Sequence, residues 1–275
     1  MTTTEAVILA VVEGLTEYLP VSSTGHMILT EAVLKMQRSI FTNLFIINIQ
    51  FGAILSVIFV YWRRFFQSVD FYLKLAVAFI PAAVLGFLLN DFLDTLLSSV
   101  TTVAVALIIG GVVLIFADKI FHEQMKISVQ EEDHYRKRAS SSFKVGWVQA
   151  FIIGCFQCIA MIPGVSRSAS TIIGGLYQGL DIKKAAEFSF FLAVPTIAAA
   201  ALYKLMKGFS YIKATDMDLL LIGNVVSFIV GVIAIKFFIT LITKYGLRFF
   251  GYYRIALGIV ILIMLALGHQ LEIPE

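Results

Sequence analysis

The sequence predicts an all-α integral membrane protein: about six transmembrane helices plus two re-entrant helix–loop–helix pairs, arranged as an inverted-topology internal repeat. Three observations predict it. Apolar runs recur at the length of a membrane span. Two further apolar stretches are each broken by a proline and a cluster of small polar residues. Lys and Arg are distributed unevenly among the loops. Of the 275 residues, 59% are hydrophobic and 14% charged, whereas soluble domains carry about 25% charged residues. A hydrocarbon layer of roughly 30 Å takes about 20 helical residues to cross, a length that no soluble core requires.

Full spans are expected at about 41–62, 71–90, 100–121, 185–206, 217–243 and 249–269. In lipid the backbone must satisfy its own hydrogen bonds, which makes each of these a continuous helix. The stretches 6–34 and 145–180 differ, because Pro20 to Gly25 and Pro163 to Thr171 interrupt them. Broken helices at membrane depth are tolerated only beside protein or a watery cavity, so both are read as re-entrant pairs. The first is not a cleaved signal peptide by its pattern: it lacks a basic leader, and Glu13 and Glu17 interrupt the apolar segment. Residues 122–144 form the only sizeable polar connector and are expected to be a soluble cytoplasmic loop.

Orientation follows from the basic residues. With the loops at 63–74, 118–144, 181–187 and 244–254 in the cytoplasm, that side holds 14 Lys and Arg, Arg254 among them. The other side holds five: Lys35, Arg38, Lys204, Lys207 and Lys213. The order "re-entrant pair, then three spans" then occurs twice, in 1–121 and in 145–275. Three spans per copy invert the second copy. Leu19-Pro20-Val21-Ser22-Ser23-Thr24 echoes Ile162-Pro163-Gly164-Val165-Ser166-Arg167-Ser168, and Gly-rich apolar runs recur near Gly110 and Gly258. Inverted repeats place a shared site near the midplane, where broken helices meet.

The chemistry concentrates at those two breaks. Glu13 and Glu17 are four apart and share one helix face. Two close carboxylates in a poor solvent need a cation or a proton between them. Mg²⁺ or Ca²⁺ sites commonly use one or two carboxylates with substrate phosphate oxygens, so Glu13 and Glu17 are the expected metal ligands. The bland alternative is a solvated helix face. Ser22, Ser23, Thr24 and Gly25 follow, with His26 beside them. Hydroxyls and amides at a helix N-terminus suit a phosphate, and an imidazole moves protons near neutral pH, although Ser and Thr also make ordinary helix caps. The second break, with Gly164, Ser166, Arg167 and Ser168, adds a cation. Arg167 is the sole Lys or Arg between Gly146 and Lys183. Its planar fork suits a phosphate; the alternative is a structural ion pair with Glu13 or Glu17. Catalytic candidates are therefore Glu13, Glu17, Ser23, His26 and Arg167: either Ser23 is the attacking oxygen with His26, three residues away, as its base, or His26 or Glu17 activates water while Ser23 donates a hydrogen bond. Ser22, Thr24, Gly164, Ser166, Arg167 and Ser168 are the expected phosphate binders.

Glu13-Gly14-Leu15-Thr16-Glu17-Tyr18-Leu19-Pro20-Val21-Ser22-Ser23-Thr24-Gly25-His26 and Pro163-Gly164-Val165-Ser166-Arg167-Ser168 resemble the two signature segments of the bacterial undecaprenyl-pyrophosphate phosphatases, also called bacitracin-resistance proteins. Gly154-Cys155-Phe156-Gln157-Cys158 and the run from Glu187 to Pro195 are similar to further family segments. One departure is Ala169, where the family pattern leads us to expect Gly. The resemblance implies a plasma-membrane enzyme that removes the terminal phosphate of undecaprenyl pyrophosphate. The product is undecaprenyl phosphate, the carrier lipid of cell-wall synthesis. It also implies bacitracin resistance, dependence on a divalent cation, and essential roles for Glu13, Glu17, His26 and Arg167, with Ser23 and Ser166 near the phosphate. Only the resemblance points to a C55 prenyl chain.

The expected partners are a prenyl pyrophosphate lipid and the bilayer, with a homodimer left open; the net charge of +3 gives no case for nucleic acid. A secondary transporter or lipid flippase is the competing class, because broken helices in inverted repeats also build transporters. Translocation has no use for an attacking oxygen beside a base. Cys155 and Cys158 have redox-like spacing but no second pair, and read as small buried side chains. The aromatic runs Phe59 to Phe66 and Phe249 to Tyr253 read as interfacial anchors.

Overall fold

Thr2 opens the first helix with a capping box: its hydroxyl accepts from Glu5 N, and Glu5 reaches back to Thr2 N. In the computed structural model, which describes residues 1–36, 39–65, 69–89, 99–122, 145–269 and 271, every regular element is helical. Two short helices come first, α1 (Thr3–Thr16) and α2 (Ser23–Val33), followed by α3 (Ile40–Val60), α4 (Val69–Leu88) and α5 (Val100–Ile120). The pattern then recurs: α6 (Trp147–Ile159) and α7 (Arg167–Tyr177) are short, and α8 (Ile182–Gly208), α9 (Met217–Tyr245) and α10 (Arg248–Ala266) are long.

The six long helices are the ones apolar and long enough to cross a membrane. Their ends fall within about three residues of the expected spans. Ser39 and Ser99 cap α3 and α5 by accepting from Thr42 N and Thr102 N. Asp118 caps α10 from a neighbouring span, accepting from Leu247 N and Arg248 N. Large apolar side chains such as Phe87, Ile109, Phe116, Leu221 and Phe237 stand exposed on these spans. That outward face is what lipid tails require, and it identifies the chain as a multi-pass membrane protein.

Packing pairs α3 with α9 and α5 with α10, while α1 also lies on α9, α8 on α3, and α6 on α4. Within the short pairs, α1 contacts α2 and α6 contacts α7. The Gly-rich runs noted in the sequence meet at the α5–α10 seam. A Cβ on Gly111 would lie 2.6 Å from Gly251 O, and one on Gly251 would lie 2.6 Å from Gly111 O. Only glycine on both helices permits that approach. Gln149 ties the second short pair together, accepting from Gly146 N and donating to Gln178 O.

Two placements correct the sequence reading. Cys155, read as a buried side chain, stands exposed on α6, and Cys158 is only half-buried. The loop expected at 244–254 is only a brief turn near Gly246 before α10 begins at Arg248. Arg254 is therefore not a cytoplasmic loop residue. It lies inside a span, with 0% exposure, so the basic bias that sets orientation loses one member. Lys183 and Lys184 likewise sit in the first turn of α8. Residues 123–144, the expected soluble connector, lie outside the described residues.

Candidate active site

The tips of the two short helix pairs, residues 17–22 and 160–166, meet in the interior. Both second helices start from a serine with positive φ: Ser22 at 68° before α2 and Ser166 at 77° before α7. Such angles are uncommon for non-glycine residues and persist where surrounding contacts hold them. Ser168 Oγ donates to Leu19 O at 2.8 Å, joining one tip to the other. Arg254 then locks both. Its Nη1 donates to Val165 O at 2.9 Å and Pro20 O at 3.3 Å, and its Nη2 donates to Gly164 O at 2.8 Å and Ala106 O at 3.3 Å. A buried guanidinium is tolerable because four carbonyl dipoles surround it. Gly110, midway along α5, leaves it room: a Cβ there would lie 2.1 Å from Nη2.

The reactive side chains gather at this junction. Arg167 Nη2 donates to Glu17 Oε1 at 3.1 Å, pairing residues 150 apart in sequence. Its Nη1 donates to Ser189 O at 2.7 Å and to Ser189 Oγ at 3.2 Å. Thr171 Oγ1 in turn donates to Ser189 Oγ at 2.7 Å. The guanidinium is thereby aimed by α8 while its own helix supports α8. The other oxygen of Glu17, Oε2, accepts from Ser23 Oγ at 3.0 Å. Glu13 is one turn earlier, 1% exposed, and neither carboxylate oxygen has a hydrogen-bond partner.

His26 sits one turn into α2. Its Nδ1 is 2.8 Å from Ser22 O and its Nε2 is 2.7 Å from Tyr253 Oη. Both ring nitrogens are thus committed away from Ser23, whose hydroxyl is turned to Glu17 instead. The expected Ser23–His26 pairing is not the arrangement present. One helical turn brings two positions to one face, but here the hydroxyl meets a carboxylate from the preceding helix first.

Burial separates the candidates into two sets. Glu17, Ser23, Thr24, His26, Ser166 and Arg167 are half-buried. Glu13, Ser22, Gly164 and Ser168 are buried. Ser22 and Gly164 contribute carbonyls, to His26 and Arg254, and Ser168 fastens the tips. Gly164 has φ 91°, and a Cβ there would lie 2.5 Å from Val103 O. Ala169, the one departure from the family pattern, is the third residue of α7 with ordinary helical backbone, where alanine costs nothing. Three residues were missed by sequence reasoning: Arg254, Tyr253 and Ser189.

An interior cluster of carboxylates, guanidinium, hydroxyls and an imidazole, built at the meeting of two broken helices, defines a membrane protein equipped to bind and act on an oxyanion. Comparison with known proteins narrows the class. The family model for the bacitracin resistance protein BacA matches residues 6–260. An undecaprenyl-diphosphatase of Bdellovibrio bacteriovorus is 51% identical, over 97% of this chain and 97% of its own. One from Flavobacterium johnsoniae is 50% identical over 99% and 100%, and one from Aquifex aeolicus is 42% identical over 94% and 97%. The chain belongs to the BacA family of bacitracin-resistance proteins.

Proposed function

We propose that this chain is the undecaprenyl-diphosphatase its relatives are named for. It hydrolyses the terminal phosphate of undecaprenyl pyrophosphate and so returns the carrier lipid to cell-wall synthesis, with bacitracin resistance as a consequence. The observation that carries this reading is the Glu17–Arg167 pair with Ser23 Oγ on the same carboxylate, at the junction of the two tips.

Pyrophosphate hydrolysis requires charge neutralisation, an attacking oxygen and a place for its proton. Arg167 supplies a planar pair of donors for the terminal phosphate, and the half-buried Thr24 and Ser166, at the starts of α2 and α7, are further hydroxyl donors. When phosphate enters, it competes with Glu17 for the guanidinium. Glu17, freed from the guanidinium, would then be able to hold a cation. Glu13 fits such a role, because two buried carboxylate oxygens without hydrogen bonds are satisfied by a metal ion or a proton. Among the described residues no cluster of three or more His, Cys, Asp or Glu forms a metal site. Two carboxylates plus substrate oxygens are therefore the donor set available to Mg²⁺ or Ca²⁺. A bound cation would supply charge neutralisation on the pyrophosphate.

Water is the attacking oxygen in this account, with His26 as its base. Ser23 Oγ donates to Glu17 Oε2 in the empty site and turns its one hydrogen to the phosphate once Glu17 has left Arg167. The two halves form an inverted duplication of re-entrant pairs and spans, a reading supported by the matched positive-φ serines and by the reciprocal packing of α1 on α9 and α6 on α4. The Lys and Arg bias supports a bacterial plasma-membrane protein whose cavity opens to the extracytoplasmic side. The test is phosphate release from a prenyl pyrophosphate by detergent-purified protein. No gradient exists there, so a transporter would release nothing.

A further inference from the structure

His26 has a hydrogen-bond partner at each ring nitrogen, and the two partners differ in kind. Nδ1 faces Ser22 O at 2.8 Å. A carbonyl only accepts, so Nδ1 carries a hydrogen and the neutral ring keeps its lone pair on Nε2. That lone pair meets Tyr253 Oη at 2.7 Å. The two rings are stacked, with centroids 5.5 Å apart and planes inclined by 10°. A phenol donates to the neutral imidazole and accepts from the imidazolium, so it serves both protonation states without either ring moving.

The phenol is also held in register. Tyr253 immediately precedes Arg254, whose guanidinium is bound to carbonyls of both tips. Tyr253 is 43% exposed and His26 is half-buried. Tyrosine is therefore the outer residue of the pair. Oη occupies the Nε2 position, so a proton that reaches Nε2 there comes through Oη.

We propose that Tyr253 relays the proton that His26 takes up during hydrolysis; this rests on the reading of His26 as the base of a phosphatase. As water attacks the terminal phosphorus, its oxygen forms the new P–O bond and its proton passes to Oη. The phenol hydrogen passes to Nε2 in the same movement. The bridging P–O bond breaks with its electron pair on the prenyl phosphate oxygen. Tyr253 ends neutral, as it began, and the imidazolium afterwards loses its extra proton to solvent or to the released phosphate.

The experiment measures kcat, KM and melting temperature for detergent-purified wild type, Tyr253→Phe, His26→Ala and the double variant, on a prenyl pyrophosphate with divalent cation present. Phenylalanine keeps the stacked ring and removes only Oη. The relay predicts that Y253F lowers kcat at least fivefold with KM within twofold, and that adding Y253F to H26A costs less than a further twofold. A smaller kcat loss in Y253F, a larger KM change, or additive losses in the double variant overturn the relay while H26A is impaired. If H26A keeps the wild-type kcat, the assignment of His26 as base has failed instead. A proton inventory on the unmodified protein requires no variant. Two protons in flight give a curved dependence of kcat on deuterium fraction, and a straight line contradicts the relay.

Discussion

Replacing Gly110 by alanine perturbs the junction from outside it. The added Cβ would stand 2.1 Å from Arg254 Nη2 and 2.8 Å from Cζ. Ordinary contact requires well over 3 Å, so the guanidinium must shift by more than 1 Å. Its bonds to Gly164 O and Val165 O are 2.8 and 2.9 Å. A shift of that size takes them past hydrogen-bonding distance. Each bond from a charged donor contributes about 1.5–3 kcal/mol, so losing both costs about 3–6 kcal/mol, and partial relaxation leaves about 3. At roughly 2–4 °C per kcal/mol for a chain approaching this size, the melting temperature should fall by about 6–12 °C. The loss falls on the carbonyls that hold the two tips together, so kcat should fall by roughly 10²-fold, in line with small misplacements elsewhere. Melting in detergent and phosphate release on the same sample measure both. A Gly110→Ala protein with unchanged melting temperature and turnover would refute the assignment of Arg254 as the clamp.

Other perturbations separate the roles of individual groups. Arg167→Ala strands Glu17 and removes the phosphate fork, and should lower kcat by roughly 10³-fold; Arg167→Lys should recover only part, since a point charge cannot replace the fork. Ser23→Ala should retain measurable turnover, about 10²–10³-fold down, because it removes one hydrogen bond; complete loss in a folded protein would restore Ser23 as the nucleophile. With Cys155 and Cys158 changed to Ser, an impermeant thiol reagent should label Lys213→Cys in intact cells and Lys244→Cys only after permeabilisation. The reverse pattern would invert the orientation.

The spans were legible because apolar runs of about 20 residues have one physical use, and six of them match the helices closely. The prolines at 81 and 195 did not end α4 or α8, which continue through them. Glu13, Glu17, His26 and Arg167 were legible for a related reason: ionisable groups in apolar sequence need a purpose. The pairing of Arg167 with one of the two glutamates was legible on the same ground, and Glu17 is the one it meets, 150 residues away. Other contacts were not: Ser189 looks like one small residue in a run of phenylalanines until α8 is packed against α7. Arg254 was misread through its neighbours, since Arg248 and the aromatics of 249–253 resemble a membrane border. A signal was available. A span beginning after Arg254 leaves only 12 residues before Leu267, too few to cross, so Arg254 had to be inside. Tyr253 carried no comparable signal, because its role depends on the rotation of α10 against α2.

The central claim, hydrolysis of a lipid pyrophosphate at a two-carboxylate cation site, is tested most directly by one measurement. Phosphate release from undecaprenyl pyrophosphate is followed for purified wild type and Glu17→Gln, with chelator and after adding back Mg²⁺ or Ca²⁺. The account predicts release by wild type that chelator abolishes and cation restores, and none by Glu17→Gln under any condition. Release that continues in chelator, or at the wild-type rate in Glu17→Gln, would contradict it.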